Sequence, residues 1–127
     1  MIAVDTSALI AILLSEPLAD ACDAALKNDE RLMISAGTLT EALIVAGGRG
    51  VREEMERLVD GLNFEVVPVT RDTARRAAVA HARWGKGAKS AGLNFGDCFA
   101  YVVAKENNCP LLYVGRDFAK TDVKRAF

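Results

Sequence analysis

Four short runs suited to β-strands, set between segments of helical periodicity, constrain this chain more than anything else in it. Met1–Val4, Leu32–Ala36 and Leu111–Val114 are apolar almost throughout, and Phe64–Val69 is rich in β-formers. A strand that is apolar at every position has both faces buried, which is the pattern of a parallel sheet covered on both sides. Strands alternating with helices lead to the same architecture. The expectation is an α/β chain, a three-layer α/β/α sandwich around a short central parallel sheet. At 127 residues it is expected as a single domain over residues 1–127.

The helices carry their own punctuation. Asp5-Thr6-Ser7 opens a helix through ALIAILLSE, and Pro17 fits the first turn of a second, PLADACDAALKND. The apolar faces of these two helices (Leu9, Ile12, Leu13, Leu18, Ala25) offer surface to a partner or to the core. A third helix is expected around Leu39–Ala46, ended by Gly47-Gly48, and a charged amphipathic one over residues 51–63. Thr70 caps an Ala-rich helix to about Trp84; Lys86–Gly92 is a basic, glycine-rich loop; Asn94 caps a helix over about Phe95–Asn107. Val123–Phe127 is expected as a final edge strand.

Composition removes several classes of function. Apolar residues make up 51% and charged ones 26%, so a real core forms and disorder is excluded. Sixteen Lys and Arg against seventeen Asp and Glu leave a formal charge of −1. Nucleic-acid binding must then rest on a local basic patch. Cys22, Cys98 and Cys109, with one His in the chain, fit no zinc ribbon, C-x-x-C motif or disulfide scaffold. They read as reduced thiols of a cytoplasmic protein. Ala8–Leu14 is too short to span a bilayer, and no basic residue precedes it as a signal peptide requires. No membrane association is expected.

The carboxylates carry the chemistry. In an open parallel sheet, reacting groups gather outside the carboxyl ends of the strands. Asp5 follows the first strand there, Asp117 follows LLYVG, Glu41 lies early in the helix after the second strand, and Asp97 stands three residues past Asn94. Singly, each has an ordinary explanation. Asp97 suits a helix N-terminus for roughly 0.3–1 kcal/mol, Thr6 or Ser7 is an N-cap, Asp117 a turn residue and Glu41 a solvated one. Asp5, between a buried strand and an apolar helix, is costly if idle. Jointly, two carboxylates ~4 Å apart repel by about 4 kcal/mol at an effective dielectric near 20. Such a cluster needs protons or a cation. Oxygen ligands without His or Cys select Mg²⁺ or Mn²⁺, ions able to activate water and stabilise a phosphoryl group. The residues alone lead to a metal-dependent phosphoryl hydrolase.

Four segments in series, V-D-T-S-A-L, S-A-G-T-L-T-E-A-L, A-G-L-N-F-G-D-C-F-A-Y-V-V-A-K and G-R-D-F-x-x-T-D, resemble a PIN domain. More narrowly they resemble the VapC ribonuclease toxins of VapBC toxin–antitoxin pairs. By that resemblance Asp5, Glu41, Asp97 and Asp117 form an acidic cluster for Mg²⁺ or Mn²⁺. Asp5 and Asp97 match direct ligands, whereas Glu41 and Asp117 act directly, through water or as general base. Thr6 or Ser7 matches the hydroxyl that orients a carboxylate, with Asn94 and Asp122 in support. Asp122 competes with Asp117 for the fourth place, and Asp117 is favoured because it follows the strand. The resemblance further implies endonucleolytic RNA cleavage leaving 5′-phosphate and 3′-hydroxyl ends, a homodimer, and a cognate VapB-type antitoxin presenting a cation to the acids. The alternative is a catalytically silent PIN-like module that binds RNA or protein.

The remaining features are plainer. Arg83, Lys86, Lys89 and Arg116 either line an RNA path or are solvated surface cations. His81 is expected as a packed or exposed histidine in place of a general base, and Trp84 to serve packing in place of base stacking. Gly47-Gly48-Arg49-Gly50 ends a helix instead of joining strand to helix, so it is no phosphate loop. A haloacid-type phosphatase needs a second acid at position 7, which is Ser; a response-regulator receiver needs paired acids and a late lysine; a dinucleotide fold needs its glycine fingerprint.

Overall fold

The computed structural model describes residues 1–87 and 91–127. Strand β1 (Ile2–Val4) leads into α1 (Thr6–Leu13) and α2 (Ala19–Lys27), and β2 (Leu32–Ser35) into α3 (Ala36–Gly48) and α4 (Arg52–Leu62). Strand β3 (Glu65–Val67) leads into α5 (Arg71–Trp84) and α6 (Phe95–Glu106), followed by β4 (Leu111–Leu112). The strands lie in the order β3-β2-β1-β4 and all are parallel, with Ile2 opposite Leu32, Ala3 opposite Leu111 and Met33 opposite Glu65.

The chain thus steps outward from β1 to β3 and then returns past β1 to add β4. Right-handed crossovers running in opposite directions must lie on opposite faces of the sheet. Side chains obey this with period two. Ile2, Val4, Leu32, Ile34 and Leu112 pack against Leu9, Ala42 and Met55 of α1, α3 and α4. Ala3, Met33 and Leu111 pack against Ala77 of α5 and Cys98, Tyr101 and Val103 of α6. Each buried Leu, Ile or Met contributes about 1.5–3 kcal/mol, so both helical layers are needed to hold so short a sheet. The three-layer α/β/α sandwich expected from the apolar runs is the fold observed.

Several boundaries differ from expectation for identifiable reasons. Helix α3 starts at Ala36, because Ser35 at the end of β2 accepts the Gly37 N–H at 3.1 Å and caps it directly. Pro17 lies outside α2: Ser15 takes a φ of 52°, and the Glu16 N–H returns to the Ala11 carbonyl at 2.9 Å. Strand β3 stops before Pro68, which has no N–H to donate. Strand β4 has two residues because the Val114 N–H donates to Ser7 Oγ at 3.0 Å. Residues 123–127 form one rung and no strand: the Leu111 N–H donates to Lys124 O at 2.8 Å and the Ala126 N–H to Leu111 O at 3.0 Å. The first two helices spend their apolar faces on the core, with Leu9 sealed and Ile12, Leu13, Leu18 and Ala25 packed against it. Exposed apolar side chains sit elsewhere, at Ile44 and Val45 of α3, Val79 of α5 and Phe95 of α6. All three cysteines are free, and among the described residues no helix is long and apolar enough to cross a membrane.

Candidate active site

Asp5 ends β1 and begins α1 at once. Its N–H donates to the Leu112 carbonyl at 3.0 Å, a last bond to β4, and its extended backbone makes it the N-cap of the helix. The side chain is 3% exposed. Oδ2 accepts from the Ser7 N–H at 3.1 Å and from Ser7 Oγ at 2.6 Å. Ser7 Oγ in turn accepts the Val114 N–H, so one hydroxyl ties the start of α1 to the segment after β4. Oδ1 is buried with no protein partner.

Thr6 holds the second acid. Its Oγ1 lies 2.7 Å from Glu41 Oε1 and 3.2 Å from the Thr38 carbonyl, one helix turn before Glu41 on α3. Asp97, 6% exposed, comes from α6. Asn94 Oδ1 accepts the Asp97 N–H at 2.9 Å, while Asp97 Oδ2 accepts the Asn94 N–H at 3.0 Å. This reciprocal capping box fixes the carboxyl against the first turn of its own helix.

Asp5, Glu41 and Asp97 line one cleft of about 320 Å³, together with Thr6, Ser7, Ile10, Glu16, Val45 and Val114. Burial raises the Asp5 carboxyl to about 6, partly offset by the Ser7 hydrogen bonds and reinforced by the charge of Glu41. Burial likewise raises Asp97 to about 7, against the Asn94 backbone bond and with the charges of Asp5, Asp117 and Glu41 adding to it. Asp117 is exposed on the loop after β4 and does not line the cleft, yet its charge reaches Asp97. Asp122 belongs elsewhere. It accepts from the Tyr101 hydroxyl at 2.6 Å and pairs with Lys105 at 3.2 Å and Arg83 at 3.8 Å. Asp122 is thus engaged with Tyr101, Lys105 and Arg83, while Asp117 acts on Asp97 through its charge alone.

Of the cations, Arg83 stacks 4.5 Å over the Trp84 ring beside Asp122, whereas Lys86 and Arg116 are exposed; none lines the cleft. Lys89 lies outside the described residues. Trp84 donates from Nε1 to the Tyr101 hydroxyl at 3.0 Å and packs against the core, as expected of it. His81 lines a larger cavity of about 440 Å³ between α5 and α6, apolar and without a carboxylate. Glu16 and Gly96 were not legible as site residues. Glu16 is brought in by the backbone reversal at Ser15, for which the sequence carries no signal.

Among the described residues, no three acids, histidines or cysteines stand close enough together to hold an ion as they are placed. The donor chemistry nevertheless fits a hard divalent cation. Among the described residues, the cleft is lined by four carboxylates and no cation, and one carboxylate oxygen is buried without a partner.

The PIN domain family is matched over residues 2–124. Ribonuclease VapC30 of Mycobacterium tuberculosis is 41% identical over 123 residues, covering 94% of this chain and 94% of that protein. Ribonuclease VapC28 of the same species is 42% identical over 127 residues, covering 97% and 96%. Among solved structures, Mycobacterium tuberculosis VapC20, described as a sarcin–ricin loop cleaving toxin, is similar with a TM-score of 0.78 at 18% identity, covering 97% of this chain and 96% of that one. A toxin–antitoxin complex from Klebsiella pneumoniae has a TM-score of 0.73 at 21% identity, covering 100% and 98%. These two likenesses are of fold.

Proposed function

The chain belongs to the PIN-domain family and, within it, to the VapC ribonucleases; from that premise we propose a Mg²⁺- or Mn²⁺-dependent endoribonuclease toxin, neutralised by a cognate VapB-type antitoxin. The observation that carries the proposal is Asp5 Oδ1, a carboxylate oxygen buried without a partner in a cleft where a second acid is held up to about 7. An idle site would not sustain that cost.

Asp5 and Asp97 would hold the ion. When bound, it supplies Lewis acidity toward a phosphoryl oxygen and makes water a better nucleophile near neutral pH. The chain's own residues do the rest. Ser7 fixes Oδ2 of Asp5 and leaves Oδ1 free, and Thr6 fixes Oε1 of Glu41. Glu41 or Asp117 takes a proton from the attacking water. Water adds to phosphorus, the P–O3′ bond breaks and the 3′ oxygen takes up a proton, leaving 5′-phosphate and 3′-hydroxyl ends. Arg116 and Lys86 are exposed for backbone phosphates.

An acidic cleft with no cation of its own suits an antitoxin that presents Arg or Lys. Ile44 at 70% exposure and Phe95 at 78% leave apolar surface for a homodimer. Light scattering at micromolar concentration should give twice the chain mass; a monomer removes the dimer from the proposal. The central test uses end-labelled total RNA with purified protein in Mg²⁺, Mn²⁺ or EDTA, followed by mapping of the cut sites. Cleavage should require the ion and vanish in Asp5→Asn and Asp97→Asn. Undiminished cleavage by the double variant, or in excess EDTA, overturns the metal mechanism, and no cleavage of any RNA by wild type favours the silent module.

A further inference from the structure

Helices α3 and α6 belong to opposite layers of the sandwich, yet they meet directly at two glycines. A β-carbon on Gly37 would stand 2.9 Å from the Phe99 ring. A β-carbon on Gly96 would collide with the carboxylate of Glu41, 2.7 Å from its Cδ. The backbone does not ask for glycine at 96: the residue lies inside α6 and outside the positive-φ region. Helix propensity argues for alanine there. What glycine supplies is space.

Glu41 has little freedom to yield that space. Its Oε1 is held by Thr6, which also reaches the Thr38 carbonyl, and the Gly37–Phe99 contact fixes the start of its helix. We infer that Gly96 is a positioning residue, whose missing side chain leaves the place that the Glu41 carboxylate occupies beside Asp97. The inference rests on the proposed function for its catalytic consequence and on packing alone for its structural one.

The test is a cycle of four proteins: wild type, Gly96→Ala, Glu41→Ala and the double variant. Without metal, Gly96→Ala should lower the melting temperature in the wild-type background and raise it where Glu41 is alanine, because the collision is gone and the better helix former remains. With Mn²⁺ as the probe, the rise in melting temperature given by wild type should shrink in Gly96→Ala. RNA cleavage should fall on the order of tenfold to a hundredfold, as for a reacting group displaced by about 1 Å. Glu41→Asp, one methylene shorter, should recover part of that loss when combined with Gly96→Ala. A melting temperature raised by Gly96→Ala in both backgrounds overturns the inference, as does no recovery with Asp at 41. If Gly96→Ala fails to fold, the Glu41→Ala double variant should restore folding; if neither folds, the collision lies elsewhere and the inference fails. A stability cycle that inverts in a protein without RNA cleavage overturns the proposed function and leaves the Gly96 assignment standing.

Discussion

Asp97 carries a proton further up the pH scale than a free aspartate does, and Asp5 follows it. Their carboxyls are raised from 3.8 to about 7 and about 6. The folded state therefore binds protons that the unfolded chain has released, and the stability these groups contribute is full below about pH 4 and lost as pH rises through 6 and 7. In EDTA, thermal denaturation should give a melting temperature that falls between pH 5 and pH 8, by an amount on the order of a few kcal/mol in stability. A flat profile would mean both acids ionise as in water. Cleavage should run the other way, rising with pH as these carboxyls lose their protons. Asp97→Asn keeps an oxygen for the Asn94 N–H and removes a charge. Relief of repulsion should exceed the roughly 0.3–1 kcal/mol of helix-dipole interaction given up, so this variant should melt higher than wild type without metal at pH 8. A lower melting temperature with an intact Mg²⁺ response would make Asp97 a helix-start acid only.

At the scale of elements, the site is built where helices begin. Asp5 caps α1 and Asp97 stands in the first turn of α6, so these two acids lie beside the N–H groups that begin a helix, whereas Glu41 stands further along α3, which Ser35 caps. Asn94→Ala should cost about 1 kcal/mol of stability by urea denaturation, the usual value of a lost cap. The Asp97 carboxylate keeps its bond to the backbone N–H of residue 94 in that variant, so activity should fall little. Ser7→Ala should be worse, leaving the Val114 N–H without its partner at about 1–3 kcal/mol, while Asp5 Oδ2 keeps only the backbone N–H of residue 7. Equal stability of Ser7→Ala and wild type would show that water replaces the hydroxyl. The caps at Thr70 and Asn94 were legible because each precedes an amphipathic run. The cap at Ser35 was not, because it doubles as the last residue of a buried strand. Strand β4 was overestimated because its apolar run continues past the point where Ser7, 107 positions away, captures the ladder N–H. The acids of the cleft were legible as ends of strands and starts of helices; Glu16 and Gly96 depend on a backbone reversal and a helix crossing that no local pattern encodes.

For the molecule as a whole, strand order decides where chemistry can occur. The chain changes direction across the sheet between β1 and β4, and Asp5 and Val114 stand at the carboxyl ends of these two strands. That is where a crevice opens in a doubly covered sheet. If an ion binds there in the folded chain alone, Mg²⁺ at ~100 times its dissociation constant should add about 2.7 kcal/mol by mass action. For a domain of this size the melting temperature should rise by roughly 10 °C, and Asp97→Asn should gain much less. Absence of any rise in wild type at saturating Mg²⁺ or Mn²⁺ would place no ion in the cleft. The hydroxyl of Ser7 also sets a clock. It is synthesised 107 positions before Val114, whose N–H it accepts. At synthesis rates of about 5–20 residues per second, that interval is roughly 5–20 s. Asp97 and Val114 are synthesised well after Asp5, so for that interval a nascent chain carries Asp5 without its neighbours in the cleft.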